Sequence, residues 1–155
     1  MRISINANRC QPSPMRKFHP YALEAKKQGK KIYHLNIGQP DLPTPQAYYD
    51  AIRKFDAPTL EYEASPGMPV LIDAIRRYYQ TLDVYLDPRD ILITTGGSEA
   101  LLLTLLSILD PYTEVIIPEP YYPNSTTFVN SAGGFIRELP TNPWEVYRYA
   151  DRERI

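Results

Sequence analysis

The chain has 155 residues, and 17 lysines and arginines against 18 acidic residues give it a formal net charge of −1. This length suits one domain with its own core. The near-neutral charge, without a basic block or stripe, argues against a nucleic-acid partner.

The first fifteen residues, MRISINANRCQPSPM, are polar and contain proline. They lack the apolar core of a signal peptide, and the longest apolar run further on is about half of what a bilayer span needs. Cys10 is the single cysteine, and beside it His19 and His34 give no zinc-type spacing. We therefore predict a free thiol on a loose arm, and a cytoplasmic chain without metal or membrane contact.

Three segments before residue 90 have helical patterns. MRKFHPYALEAKKQGKK predicts a short helix that is interrupted near Pro20 and ends at Gly29. After the extended run and loop IYHLNIGQPDLPTP, Thr44 and Pro45 predict the N-cap and first position of a second helix. SPGMPVLIDAIRRYYQTL repeats this pattern with Pro69 at the helix start.

From Asp90 onward, short runs rich in Ile, Val and Leu alternate with segments of helical length. DILITT, EVIIPEP and FIRELP predict strands, and SEALLLTLLSIL and YYPNSTTFVNSAG predict the helices between them. This alternation predicts an α/β fold, a three-layer αβα arrangement with a mainly parallel sheet. Because eight of the ten residues from Ala100 to Leu109 are apolar, that helix must be covered on more than one side. Three strands give little such cover, so we expect an incomplete sheet.

The junction TTGGSE places Gly96 and Gly97 where a strand turns into a helix. The free N–H groups and partial positive charge of a helix start, with the Ser98 hydroxyl, suit a phosphate. A tight turn with a serine N-cap is the alternative interpretation. A nucleotide-binding α/β domain is a third and weaker hypothesis, because the junction matches neither G-x-G-x-x-G nor a Walker A loop.

Four motifs in order, LNIGQPDLPTP, YEASPGMPVLIDAI, ILITTGGSEALLL and EVIIPEPYYPNS, give the chain a family resemblance. From about Met15 to the end it resembles the N-terminal part of the class I/II aminotransferases, fold-type I pyridoxal-phosphate (PLP) enzymes of the aspartate and aromatic aminotransferase kind. The resemblance implies an arm, helix and substrate-loop segment over residues 1–45. It also implies the first half of the PLP-binding large domain over residues 46–155, with the second half and the small domain absent.

The resemblance also implies roles for particular residues. The backbone of Gly97, Ser98 and Glu99, with the Ser98 hydroxyl, would hold the cofactor phosphate, which agrees with the anion argument above. Tyr122 matches the aromatic residue that stacks on the pyridine ring; otherwise it would be a tyrosine packed over the strand end.

Two further residues match family positions in the earlier motifs. Tyr62 matches a tyrosine that reaches the phosphate in the neighbouring subunit's site, which implies a homodimer in the full-length form. Gly38 matches a glycine whose backbone lies against the bound amino acid. Without the resemblance these would be a generic tyrosine and a loop glycine.

The lysine that forms the Schiff base comes, in the family, well after the stacking aromatic, and this sequence has no lysine after Lys54. No catalytic residue is therefore assigned. We expect an N-terminal fragment whose last residues, YADRERI, begin a helix.

The resemblance implies a PLP-dependent aminotransferase, which moves an amino group from an amino acid to a 2-oxo acid. The helix start and the aromatic stack contribute about 2 and about 1 kcal/mol, whereas micromolar affinity needs about 8 kcal/mol. We therefore expect the chain alone to be inactive and to bind PLP weakly or not at all. The alternative is a non-catalytic remnant or binding module that associates with an intact relative.

Overall fold

A computed structural model describes residues 2–149 of the chain. Its helices and strands are, in chain order, α1 (Ile5–Arg9), α2 (His19–Lys27), α3 (Gln46–Arg53), α4 (Pro69–Gln80), α5 (Gly97–Ile108), β1 (Glu114–Pro118), α6 (Asn124–Ser131) and β2 (Phe135–Leu139). The chain forms two compact units. The first contains the described residues of Met1–Ile37 and Gly96–Ile155, and the second is Gly38–Thr95. The helix start expected in YADRERI lies at residues 150–155, outside the described residues, and the division at residue 45 stays a prediction.

The first unit contains a two-stranded parallel sheet in which β1 and β2 are connected through α6. The register pairs Glu114 with Phe135 and Pro118 with Leu139. A β-strand–helix–β-strand unit of this kind is what the alternation of apolar runs predicted. The expected third strand, DILITT, is wrong for the described part of the chain, where residues 91–94 belong to no ladder. Ile93 N–H instead donates to the Pro66 carbonyl at 2.9 Å.

The packing centre of the first unit lies on α6. Val129 is 1% exposed and Asn130 is 8% exposed. The Arg9 guanidinium donates to Asn130 Oδ1 at 2.9 Å and to the Gly134 carbonyl at 2.7 Å, and Asn130 Nδ2 donates back to the Arg9 carbonyl at 3.0 Å. The same guanidinium lies 4.0 Å from the centre of the Phe135 ring. These contacts fix α1 to α6 and β2.

The N-terminal segment is therefore not the loose arm that its polar composition suggested. Ser4 caps α1, since its Oγ accepts a hydrogen bond from Ala7 N–H at 3.1 Å. Cys10 is half-buried, with Sγ 3.4 Å from the Asn6 carbonyl and 3.8 Å from the Thr127 carbonyl. The predicted free thiol is confirmed, but the prediction of a loose arm was wrong, because long-range contacts with α6 hold this segment.

The two proline signals before α2 and α3 mark helix starts. Pro20 lies in the first turn of α2 instead of interrupting a longer helix, because the first turn needs no N–H from proline. Gly29 follows the helix with a φ of 77°, as expected for a stop. In α3, Pro45 is the N-cap and Gln46 the first residue, one position later than predicted from Thr44 and Pro45.

The second unit is organised around α4, which begins at Pro69 as predicted. Its Ile72 is 6% exposed, and the Arg76 Nε donates to the Leu86 carbonyl at 2.9 Å. Gly67 precedes the helix with a φ of 108°, and a Cβ there would lie 2.3 Å from Ile93 Cγ1. The glycine of the SPGMP motif thus allows the extended segment around Ile93 to approach closely.

The apolar helix α5 has no buried residue. Four of its large side chains are between 39 and 67% exposed, namely Leu101, Leu103, Leu106 and Ile108. The expectation that the described chain would leave this helix partly uncovered is confirmed. With 12 residues α5 is also too short to cross a bilayer, and no other helix within residues 2–149 has the length and apolar character that a crossing requires.

Candidate functional site

The junction before α5 has the backbone that its two glycines suggested. Gly96 is the N-cap, with φ 155° and ψ 176°. This region of backbone space is almost exclusive to glycine, so the backbone conformation requires a glycine at position 96. Gly97 is the first helical residue, and a Cβ added to it would meet no protein atom within 4 Å. The space beside Gly97 is therefore open for a ligand to approach the main chain.

The start of α5 also has the electrostatics of an anion site. The N-cap residue, Gly96, has no side chain with which to cap the helix. The alternative interpretation, a serine N-cap, is wrong, because the N-cap is Gly96 and Ser98 lies inside the first turn. Ser98 and Glu99 are both exposed. Three successive backbone N–H groups and one hydroxyl at a positive helix end are suitable donors for a phosphate group.

Tyr122 lies on the loop between β1 and α6, and its side chain is 54% exposed. The loop is anchored at its start, where Glu119 N–H donates to the Leu139 carbonyl at 2.9 Å and Thr141 Oγ1 donates to the Glu119 carbonyl. The neighbouring Tyr121 hydroxyl donates to Glu138 Oε1 at 2.9 Å. These bonds attach the loop that carries Tyr122 to the end of β2.

Sequence reasoning missed this anchoring. Tyr121 is next to the predicted stacking residue, and Glu138 is the one acidic residue near the end of the second strand run FIRELP. Tyr121 follows β1 and Glu138 lies near the end of the adjacent parallel strand β2, so the two are brought together at the same edge of the sheet. That topology was the available signal.

The remaining two predicted residues lie in the second unit. Tyr62 is fully exposed, and Gly38 is exposed, with no protein atom within 4 Å of a Cβ added to it. Each therefore offers an uncovered surface. The structure brings Gly97, Ser98 and Glu99 together in one turn, and the roles of Tyr62 and Gly38 stay predictions.

A cleft of about 410 Å³ lies in the first unit beside the Tyr121 loop. The N-terminal segment and the start of α6 form its walls, and its lining residues are Gln11, Pro12, Ser13, Pro14, Tyr121, Pro123, Asn124, Thr126, Thr127 and Glu138. Ser13 Oγ is buried there without a hydrogen-bond partner in the described residues. The predicted cofactor residues do not line this cleft.

Comparison with known proteins places these features in a family. Residues 30–148 match the family model "Aminotransferase class I and II". The chain belongs to this aminotransferase family. The matched range includes all six predicted site residues, which are Gly38, Tyr62, Gly97, Ser98, Glu99 and Tyr122.

Individual aminotransferases match almost the whole chain. It is 31% identical over 155 residues to the aspartate/prephenate aminotransferase of Thermus thermophilus. The alignment covers 99% of this chain and 40% of that protein. The crystal structure of an aspartate aminotransferase from Rhizobium meliloti matches with a TM-score of 0.83 and 28% identity over 97% of this chain and 38% of its own. A Thermus thermophilus aspartate aminotransferase solved with maleate matches with a TM-score of 0.82 and 31% identity, over 99% and 41%.

These comparisons show a partial aspartate aminotransferase fold. The chain spans about 40% of the length of the aminotransferases that it matches, in their N-terminal portion. The predicted family and the partial fold are confirmed.

Proposed function

We propose that this chain forms the phosphate-binding portion of a PLP-dependent aminotransferase, which moves an amino group from an amino acid to a 2-oxo acid. One observation carries the proposal. In a chain of this family, α5 begins at a glycine-only N-cap and leaves the space beside Gly97 open.

The phosphate would lie at the start of α5. Backbone N–H groups of Gly97, Ser98 and Glu99 would donate to its oxygens, and the exposed Ser98 hydroxyl would add a further hydrogen bond. The negative Glu99 carboxylate is itself favourable at a helix N-terminus, but it cannot donate to a phosphate. Glu99 would therefore contribute to phosphate binding through its backbone N–H alone.

Tyr122 would stack on the pyridine ring. Half of its side chain is exposed, and the bonds of Tyr121 and Glu119 to the end of β2 restrict the loop that presents it. Such restriction lowers the entropy that an aromatic residue loses when it stacks on a ligand. An offset stack of this kind contributes about 0.5–1.5 kcal/mol.

The family resemblance also implies roles for Tyr62 and Gly38, which lie in the second unit. The phenol of Tyr62 is fully exposed, which suits contact with the phosphate of a neighbouring subunit in a homodimer. The open space around Gly38 would allow the bound amino acid to lie against its backbone.

When bound, PLP supplies an electron sink for the carbanion that transamination generates. Moving the proton requires an amine, and residues 55–155 contain no lysine. The helix start and the stack contribute about 2 and about 1 kcal/mol, well below the roughly 8 kcal/mol of micromolar affinity. Residues 1–155 by themselves are therefore expected to bind PLP weakly and to catalyse no transfer.

A reductive labelling experiment tests the expectation that residues 1–155 by themselves catalyse no transfer. The purified chain is mixed with PLP and an amino acid, treated with borohydride, and mapped by mass spectrometry. We expect scattered, substoichiometric labels over the six lysines. One dominant, stoichiometric label on a single lysine, with absorbance that depends on the amino acid, would overturn the expected inactivity.

A chimera tests the phosphate site. This chain is joined to the portion of the Thermus thermophilus aspartate/prephenate aminotransferase that follows the matched region. We expect Ser98→Asp to reduce PLP retention by at least about tenfold, since it places a carboxylate beside the phosphate. Ser98→Ala removes only the hydroxyl and should have a smaller effect.

Ser107→Ala is the matched control, because this serine lies in the same helix and its hydroxyl donates to the Leu103 carbonyl at 2.8 Å. It should leave PLP retention unchanged. Equal retention in all three variants would remove the start of α5 from the site. A folded chimera that retains no PLP at all would favour the alternative, a non-catalytic remnant or binding module.

A further inference from the structure

The cleft beside the Tyr121 loop has the size of a small-molecule site. Its volume of about 410 Å³ falls within the range of roughly 300–1,000 Å³ that is usual for such sites. Three separate segments contribute to it, namely residues 11–14, the Tyr121 loop with the start of α6, and the end of β2. All of them belong to the first unit, so the cleft is a feature of one compact body.

The segments that form the cleft are held in place by hydrogen bonds within the chain. The Arg9 guanidinium donates to Asn130 Oδ1 at 2.9 Å and fixes the N-terminal segment to α6. The Tyr121 hydroxyl donates to Glu138 Oε1 at 2.9 Å and fixes the loop to the end of β2. A site whose walls are already ordered loses less conformational entropy when a ligand binds.

The lining combines apolar surface with hydrogen-bonding side chains. Three prolines and the ring of Tyr121 supply the apolar surface, and hydroxyl and amide side chains such as that of Asn124 supply donors and acceptors. Ser13 Oγ is buried and has no hydrogen-bond partner in the described residues. An unpaired buried hydroxyl is unfavourable, and a ligand with hydroxyl groups would give it a partner.

Glu138 determines the charge that the ligand should carry. It is the one charged side chain among the described residues that line the cleft. Its Oε1 accepts from Tyr121, and within residues 2–149 it forms no ion pair with a lysine or arginine. A carboxylate without a cationic partner attracts a positively charged ligand and repels an anionic one.

We propose that this cleft binds a small hydroxylated primary amine in its protonated form, a chemical class that includes the amino sugars. The ammonium group would donate to the Glu138 carboxylate, and hydroxyl groups would bond with Ser13 and Asn124. The carbon skeleton would lie against the prolines and the Tyr121 ring. The proposal does not rest on the function proposed above, because the predicted cofactor residues do not line the cleft.

A titration with three sugars that share one ring form separates charge from shape. Glucosamine has an ammonium group, glucose is neutral and glucuronate is anionic. The purified chain is titrated with each sugar in mildly acidic buffer, where the amine is protonated, and its backbone amide shifts are followed by NMR. We expect glucosamine to bind with a Kd of about 1 mM or lower, and the other two sugars at least about fivefold more weakly. The shifts should be concentrated in residues 11–14, 121–127 and 138.

Substitutions assign the contacts. Glu138→Gln keeps the shape and an acceptor for Tyr121 but removes the charge, so it should weaken glucosamine binding at least about fivefold and leave glucose binding unchanged. Glu114→Gln is the matched control, because Glu114 is also exposed but lies at the first position of β1, outside the cleft. Ser13→Ala should weaken glucosamine and glucose alike, by about twofold, because it removes a hydroxyl contact that both share. The amide spectrum of each variant checks that the fold is retained.

Three outcomes would overturn the proposal. One is that glucosamine does not bind, or binds no more tightly than glucose. The second is that Glu138→Gln weakens glucosamine binding no more than Glu114→Gln does. The third is that the shifts are no larger in the cleft than in the rest of the described chain. None of these measurements involves PLP, so failure here leaves the phosphate-site proposal standing, and the reverse also holds.

Discussion

Helices α5 and α6 are neighbours in the first unit, and their burial is the reverse of what their composition suggests. α5, GSEALLLTLLSI, contains six leucines and isoleucines but no buried residue. α6, NSTTFVNS, is mostly polar, yet it holds the buried Val129 and Asn130.

The difference shows that the burial of a helix in this chain depends on the elements that pack against it and not on its composition. α6 is surrounded by α1, α5 and β2, and Asn130 is tolerated inside because both atoms of its amide are hydrogen-bonded to Arg9. Among the helices and strands of residues 2–149, α6 is the one that packs closely against α5, and it does so along one side. An apolar helix becomes part of a core only where a second layer covers it.

The strongest test places the same charge in both helices. Val129→Glu should lower the free energy of unfolding by more than about 4 kcal/mol, enough to unfold the first unit, because the carboxylate would be buried without a partner. Leu106→Glu should cost less than about 1 kcal/mol, since residue 106 is half-exposed and glutamate is a good helix former. Urea unfolding with amide exchange in α6 measures both.

Equal destabilisation by the two substitutions would contradict the comparison. It would mean that α5 is covered in solution, for example by self-association. Repeating the measurement over a range of protein concentrations separates that explanation from burial within one chain.

The second test removes the polar contact that makes α6 a packing centre. Asn130→Ala should lower the free energy of unfolding by about 2–3 kcal/mol, because it removes two hydrogen bonds with the half-buried Arg9, one of them to the charged guanidinium. α1 should then exchange its amide protons as fast as a free peptide. Asn8→Ala, an exposed position on α1, is the matched control and should change stability by less than about 0.5 kcal/mol. Protected α1 amides in Asn130→Ala would show that Arg9 is not what holds the segment.

The sequence was sufficient to predict a helix or strand where the residues that determine it are close together in the chain. Pro69 predicted the start of α4, Gly96 and Gly97 the junction at which α5 begins, and the runs EVIIPEP and FIRELP the two paired strands. In each case the backbone preference and the neighbouring residues agree.

Long-range pairing was not accessible from the sequence. The attachment of Arg9 to Asn130 joins residues 121 positions apart, and nothing in a polar N-terminal segment indicates its partner. The Tyr121 to Glu138 bond, which spans 17 positions, was missed although the predicted parallel pairing of the two strands brings these residues to the same edge of the sheet. DILITT has the composition of a strand, but a strand also needs a neighbour for its ladder, and composition does not supply one.

A third prediction separates the two glycines at the start of α5. Gly96→Ala should lower the free energy of unfolding by about 1–3 kcal/mol, because alanine is strained at φ 155° and ψ 176°. Gly97→Ala should be neutral or stabilising by up to about 1 kcal/mol, since its Cβ meets open space at a helical position. Thermal unfolding of the two variants measures this contrast. A larger loss in Gly97→Ala would mean that the space beside residue 97 is filled in the folded chain.

The smallest expected effect concerns a turn whose stability is wholly local, in contrast to the long-range network around Asn130. Asp87 caps the turn Pro88–Asp90, accepting hydrogen bonds from the Arg89 Nε and the Arg89 backbone N–H, both at 3.0 Å. The side-chain bond from Arg89, followed by the backbone bond, lowers the pKa of Asp87 below its ordinary value.

Because the pKa of Asp87 is lower in the folded state, its charge stabilises the turn at pH values above the ordinary aspartate pKa of about 3.9. This contribution is lost as the pH falls through the folded-state pKa. Asp87→Asn should therefore reduce amide protection at Arg89 slightly at neutral pH, and wild type and variant should converge at a pH of about 2. Amide exchange followed by NMR measures the convergence. A difference that persists in acid would show that the side chain stabilises the turn through its shape and not through its charge. Because Asp87 lies on the surface of the second unit, α6 in the first unit should remain protected throughout.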